Sequence, residues 1–177
     1  MSNWITIYCV RPVGNLSAIE LAAGLRGDNP HALAGVDYRT LAEDYGIDES
    51  LVENCARNVS VKELTDVEHG WYRVDFSTLG TDPLIIYRWS EPERVVEEIT
   101  EVLDRLEITD SVLAKTLKKT CEVIGVEMTL SQLADMGVVV AYEAARFLAQ
   151  RGDGIIINDA DELLFVRGGE FLPVQQG

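Results

Sequence analysis

The stretch WYRVDFSTLGTDPLIIYRWSEPERVVEEITEVLDRL, Trp71 to Leu106, changes its hydrophobic period halfway, and that change points to a mixed fold. In its first part Trp71, Arg73 and Asp75 alternate with Tyr72, Val74 and Phe76, the period of a strand, and Leu84 to Trp89 repeats the pattern after a connector holding Gly80 and Asp82. A hairpin is predicted. Ser90-Glu91-Pro92-Glu93 then opens a helix: the serine can cap, Glu93 can reach back, and proline is tolerated in a first turn. Val95, Val96, Ile99, Val102, Leu103 and Leu106 keep helical spacing, with Glu97, Glu98, Glu101, Asp104 and Arg105 opposite them. This helix is expected to bury Val96, Ile99, Leu103 and Leu106 and to expose Glu97, Glu101 and Asp104.

Towards the N-terminus, Trp4 to Val10 is rich in β-branched and aromatic types and reads as a strand ending at Arg11-Pro12. Ser17 and Glu20 form a capping box before a short helix that stops at Gly27-Asp28-Asn29-Pro30. A second helix is predicted from Asp37, with Tyr38, Leu41, Ala42 and Tyr45 on one face, and a third after Asp48, carrying Leu51, Val52 and Cys55. Val59 to Leu64 fits either a strand or a loop.

Towards the C-terminus, a helix is expected from about Thr109 or Asp110, with Leu113, Leu117, Cys121 and Ile124 inward and Gly125 as its stop. The segment from Thr129 to Gln150 is apolar nearly all round and reads as one covered helix; Asp135, Glu143 and Arg146 within it argue against a membrane span. Three short strands follow, Ile155 to Ile157, Leu163 to Arg167 and Glu170 to Val174, the last two joined by Gly168-Gly169. This order predicts an α+β fold, an antiparallel or mixed sheet covered by helices, in a single globular domain over residues 1–177. A ferredoxin-like core with helical insertions is one topology that fits.

Composition narrows the function. At 47% hydrophobic and 25% charged, the chain can build an ordinary core. No apolar run approaches the roughly 20 residues of a membrane span, and no leader pattern opens the sequence, so a cytoplasmic protein is expected. Cys9, Cys55 and Cys121 are odd in number and widely spaced, which reads as three small buried thiols. The net charge of -15 disfavours nucleic acid and anionic lipid and favours a basic protein partner. The excess is segregated: nine acidic against three basic side chains lie between 37 and 68, and eight against two between 91 and 110.

The common phosphate-loop, dinucleotide, nucleophile-elbow and zinc-protease patterns are absent from the sequence. His31 and His69 have no second ligand at helical spacing, and no cofactor or metal is expected. Asp153, Asp159, Asp161 and Glu162 form the best local carboxylate cluster, although aspartates near glycine also serve turns. Arg73 and Asp75, beside Trp71, could floor a pocket or pair on a solvated face.

The acidic blocks nominate Glu97, Glu98, Glu101, Asp104, Asp44, Glu49 and Glu53 as contacts for a basic partner. In being small, acidic and mixed in fold, the chain is similar to the immunity proteins that neutralise bacterial toxins. That likeness is one of composition and implies a non-enzymatic binding protein. Two other classes stay open: a small enzyme or metal-binding domain using the carboxylates, and a subunit of an assembly with Trp4, Trp71 or Trp89 at its interface.

Overall fold

In the computed structural model the described residues are 2–27, 33–35, 40, 43, 46–76, 80–109, 111–133 and 135–174. His31, Asp44, and most of the helix predicted from Asp37 lie outside them. Eight strands form one antiparallel sheet: β1 (Ser2–Cys9), β2 (Ser60–Glu63), β3 (Gly70–Asp75), β4 (Leu84–Trp89), β5 (Glu122–Thr129), β6 (Gly154–Ile157), β7 (Leu163–Arg167) and β8 (Glu170–Pro173). Six helices accompany them among the described residues: α1 (Ala18–Arg26), α2 (Glu49–Asn58), α3 (Pro92–Arg105), α4 (Ser111–Leu117), α5 (Leu130–Leu133) and α6 (Gly137–Gly152).

The strand order is β2-β3-β4-β5-β1-β6-β7-β8. Its four central members, β4-β5-β1-β6, have the order of a ferredoxin-like core, in which β1 leads through α1 towards β4 and β5 leads through α6 to β6. Helices α3 and α4 stand where that core would have a hairpin. The pairs β2–β3 and β7–β8 widen the sheet on either side.

Alternation along the strands divides the apolar residues into two cores. Ile5, Ile7, Ile124, Val126, Met128, Leu84, Ile86, Val74 and Ile156 face one side, where Leu21 and Leu25 of α1, Val52 and Cys55 of α2, and the small-residue face of α6 cover them. Tyr8, Val123, Ile155, Ile157 and Leu163 face the other side, under Val95, Ile99 and Val102 of α3 and Leu113 and Leu117 of α4. Two helices cannot cover eight strands. Among the described residues, no helix covers this second side from β2 to the lower half of β1.

Several expectations change for local reasons. Residues 122–129 are a central strand and not the end of a helix, because Val123, Ile124 and Val126 are β-branched and the segment pairs with β1 on one edge and β4 on the other, burying residues 122–126. The segment 129–150 is broken into α5 and α6, with Gln132 turned back to accept from the Thr129 backbone N–H at 2.6 Å. Val96 is 63% exposed, and the buried set on α3 is Val95, Ile99 and Val102, with Leu103 and Leu106 half-buried beside it. Glu91, not Ser90, is the residue before α3, and no side chain caps it. Ser17 and Glu20 do form the capping box, and Asp48 caps α2.

Candidate functional site

On the open part of the sheet three aromatic side chains meet. The register sets Trp4 opposite Glu127, Thr6 opposite Gly125, and Gly125 opposite Tyr87, all pointing to the side that α1 and α6 leave free. Trp4 lies 5.2 Å from Tyr87 and 6.5 Å from Trp89, and Tyr87 stacks on Trp89 at 5.9 Å with 10° between the planes. Gly125 makes this possible: a Cβ built there would stand 2.9 Å from the Trp4 ring and 3.1 Å from that of Trp89. The three rings are half-buried, against one another and against the strand beneath.

Polar groups rim this platform. Tyr87 donates its hydroxyl to Glu127 Oε2 at 2.8 Å, and burial, with that carboxylate alongside, pushes its phenol up to about 12. His69, held at a φ of 57°, lies 6.1 Å from the Trp89 ring and within 4.0 Å of Glu91. Helix α3 forms the far wall. Trp89 packs at the edge of the cluster that holds Val95, Ile99 and Val102 of α3 and Tyr8, which follows Trp4 and Thr6 on the same sheet face. The charges of Glu98 and Glu101 help to raise the Tyr8 phenol that burial already pushes up. Glu98 itself is only 23% exposed and pairs with Arg94 at 2.9 Å. Burial holds its carboxyl above the ordinary range; Arg94 opposes this, and Glu101 and Glu97 reinforce it.

The nominated carboxylates therefore divide. Glu97, Glu98, Glu101 and Asp104 lie on α3, on the aromatic side of the sheet, whereas Glu49 and Glu53 lie on α2, whose buried face packs into the core on the opposite side. The nominated carboxylates of α2 and α3 do not make one surface. Asp44 lies outside the described residues.

The carboxylate cluster likewise comes apart. Asp153 precedes β6, in left-handed conformation and 3.6 Å from Arg11, while Asp159, Asp161 and Glu162 follow β6 at its other end. There Asn158 accepts from the backbone of Ala160 and Glu162, and Asp161 pairs with Arg105 at 3.1 Å. These are turn and surface-pair roles. Among the described residues no three His, Cys, Asp or Glu side chains converge as metal ligands.

Arg73 and Asp75 pair at 2.7 Å on the open face, but Trp71 does not join them. A register shift between Gly70 and Tyr72 turns Trp71 to the helical side, where the Arg88 guanidinium covers its ring at 4.4 Å. Arg88 also binds the buried carboxylate of Glu122, which accepts the Val13 N–H at 2.9 Å, and Arg88 Nη1 donates to the Gly14 carbonyl at 3.2 Å. The pair fastens the 10–17 loop to the sheet. A small cavity of about 370 Å³ opens beside it, between Ser17, Glu20, Glu63 and Tyr72. Cys121 is exposed, whereas Cys9 and Cys55 are buried and burial raises both thiols.

Sequence reading took Gly125 as a helix stop and gave no role to Tyr87 and Glu127 or to Arg88 and Glu122. Misreading 121–124 as helix removed β5 from the sheet, and with it the neighbours that assemble both groups. Tyr87 and Trp89 do share one face of their strand, which is the signal that could have found the platform. No protein-family model, curated protein or solved structure matches the chain.

Proposed function

We propose that the protein is a non-enzymatic binding protein that docks a basic protein partner on the open sheet face, with Trp4, Tyr87 and Trp89 as anchors and Glu127, Glu98 and Glu101 as the acidic rim. The observation that carries this reading is the contiguous, half-buried aromatic triad beside the acidic flank of α3. Aromatic side chains in the centre of a patch with charge at its edge match the anatomy of protein interfaces. Arginine and lysine are suited to it twice, since their heads pair with carboxylates and their cations stack on indole and phenol faces. The net charge of -15 would also speed encounter with a basic surface. A toxin-neutralising, immunity-type role is one form this activity could take.

Affinity capture from the native host across a salt series tests the reading. The partner should elute as salt rises, and both Trp4→Ser and the double reversal Glu98→Lys/Glu101→Lys should weaken capture by about tenfold or more. Glu49→Lys/Glu53→Lys, on the opposite side of the sheet, should leave it unchanged. If the α2 reversal abolishes capture and the other variants do not, the aromatic face is not the docking site.

A further inference from the structure

A second, larger cavity than the one beside Arg88 lies away from the aromatic face, against α4. It measures about 740 Å³ and runs between α4 and the β6–β8 end of the sheet. Leu113, Ile155, Phe165 and Val174 provide its apolar lining, and Val112, 70% exposed, extends that surface at the rim. Two cations border it: Lys119, just past the end of α4, and Arg167, at the end of β7. No ion pair joins either to a carboxylate among the described residues; Arg167 instead lies 5.4 Å over the Phe165 ring. In a chain with twice as many acidic as basic side chains, a cavity bordered by two unpaired cations is out of keeping with the surface around it.

The other lining groups do not cancel this charge. Asp153 is drawn towards Arg11 at 3.6 Å, Gly154 presents bare backbone, and Thr116 spends its hydroxyl on the Val112 carbonyl. Glu170 stands opposite Arg167 in the β7–β8 register without pairing to it. The volume falls in the range of small-molecule sites, which combine mostly apolar walls with a few placed polar groups.

We propose that this cavity binds an amphipathic organic anion, its apolar body lying against Leu113, Ile155, Phe165 and Val174 and its carboxylate held between Lys119 and Arg167. The cations supply charge-assisted hydrogen bonds, and Arg167 can offer a bidentate fork. The site is separate from the proposed docking face and stands or falls without it.

Calorimetric titration of the full chain with octanoate, 1-octanol and octyltrimethylammonium tests the proposal. Octanoate should bind saturably at one site, octanol about tenfold or more weakly, and the ammonium compound not at all. Lys119→Ala and Arg167→Ala should each weaken octanoate by about tenfold, while Glu170→Gln should tighten it. Both cations are exposed, so circular dichroism should report an unchanged fold. Octanol binding as tightly as octanoate, octanoate binding equally to the Lys119→Ala/Arg167→Ala double variant, or no saturable heat at all would each overturn it.

Discussion

Tyr87 is where the chemistry of single residues is most exposed to test. Its phenol is raised to about 12 from an ordinary 10.0, first by burial and then by its hydrogen bond to Glu127 and the charge of that carboxylate. The folded state thus holds the proton more tightly than the unfolded chain does. The resulting stability is complete below the unfolded value and disappears as pH rises through the folded one. Tyr87→Phe has no proton to lose, so the advantage of wild type over this variant should shrink between about pH 9 and pH 12. Urea midpoints for the two proteins across that range measure it; a constant difference would mean that folding does not raise the Tyr87 phenol, and so that its ring is neither buried nor held against Glu127 as described.

At the scale of elements, α3 distinguishes residues that sequence spacing alone treats as equivalent. Val96 and Ile99 both fit the helical repeat, yet Ile99 is 5% exposed and Val96 is 63% exposed. Ile99→Ala should cost about 2 to 5 kcal/mol in a urea melt, and Val96→Ala no more than about 0.5 kcal/mol. Equal losses would mean that the helix is rotated from the orientation described. Its amphipathic character was legible because five charged side chains mark one flank, but the exact seam was not, since Val95, Val96, Val102 and Leu103 leave an apolar arc wider than the sheet covers. Strand β5 was illegible for another reason. Only Gly125 to Thr129 alternates small or polar with apolar side chains, and the buried Glu122 falls on the core-facing side where an apolar residue is expected, while Leu113, Leu117, Cys121 and Ile124 imitate a helical repeat running into it. Conversely, the three C-terminal strands were legible because turn residues punctuate them at short intervals.

For the whole molecule, the sheet is a partition. It sends the acidic residues of α2 to one side and those of α3 to the other, a separation that charge counting along the chain could not anticipate, and leaves α3 beside the aromatic triad. The net charge and the α+β class were open to sequence reading; the juxtaposition of carboxylate and ring depended on strand order, which the sequence does not encode locally. This partition also supplies an internal control, because the three tryptophans divide with it: Trp4 and Trp89 lie on the open face and Trp71 lies on the other. The most direct test is an NMR titration of the indole N–H signals with an arginine-rich peptide at low and high salt. The account predicts that the Trp4 and Trp89 signals move together, that salt suppresses the movement, and that Trp71 stays in place; stationary Trp4 and Trp89 signals, or a Trp71 signal that moves as far as theirs, would contradict it.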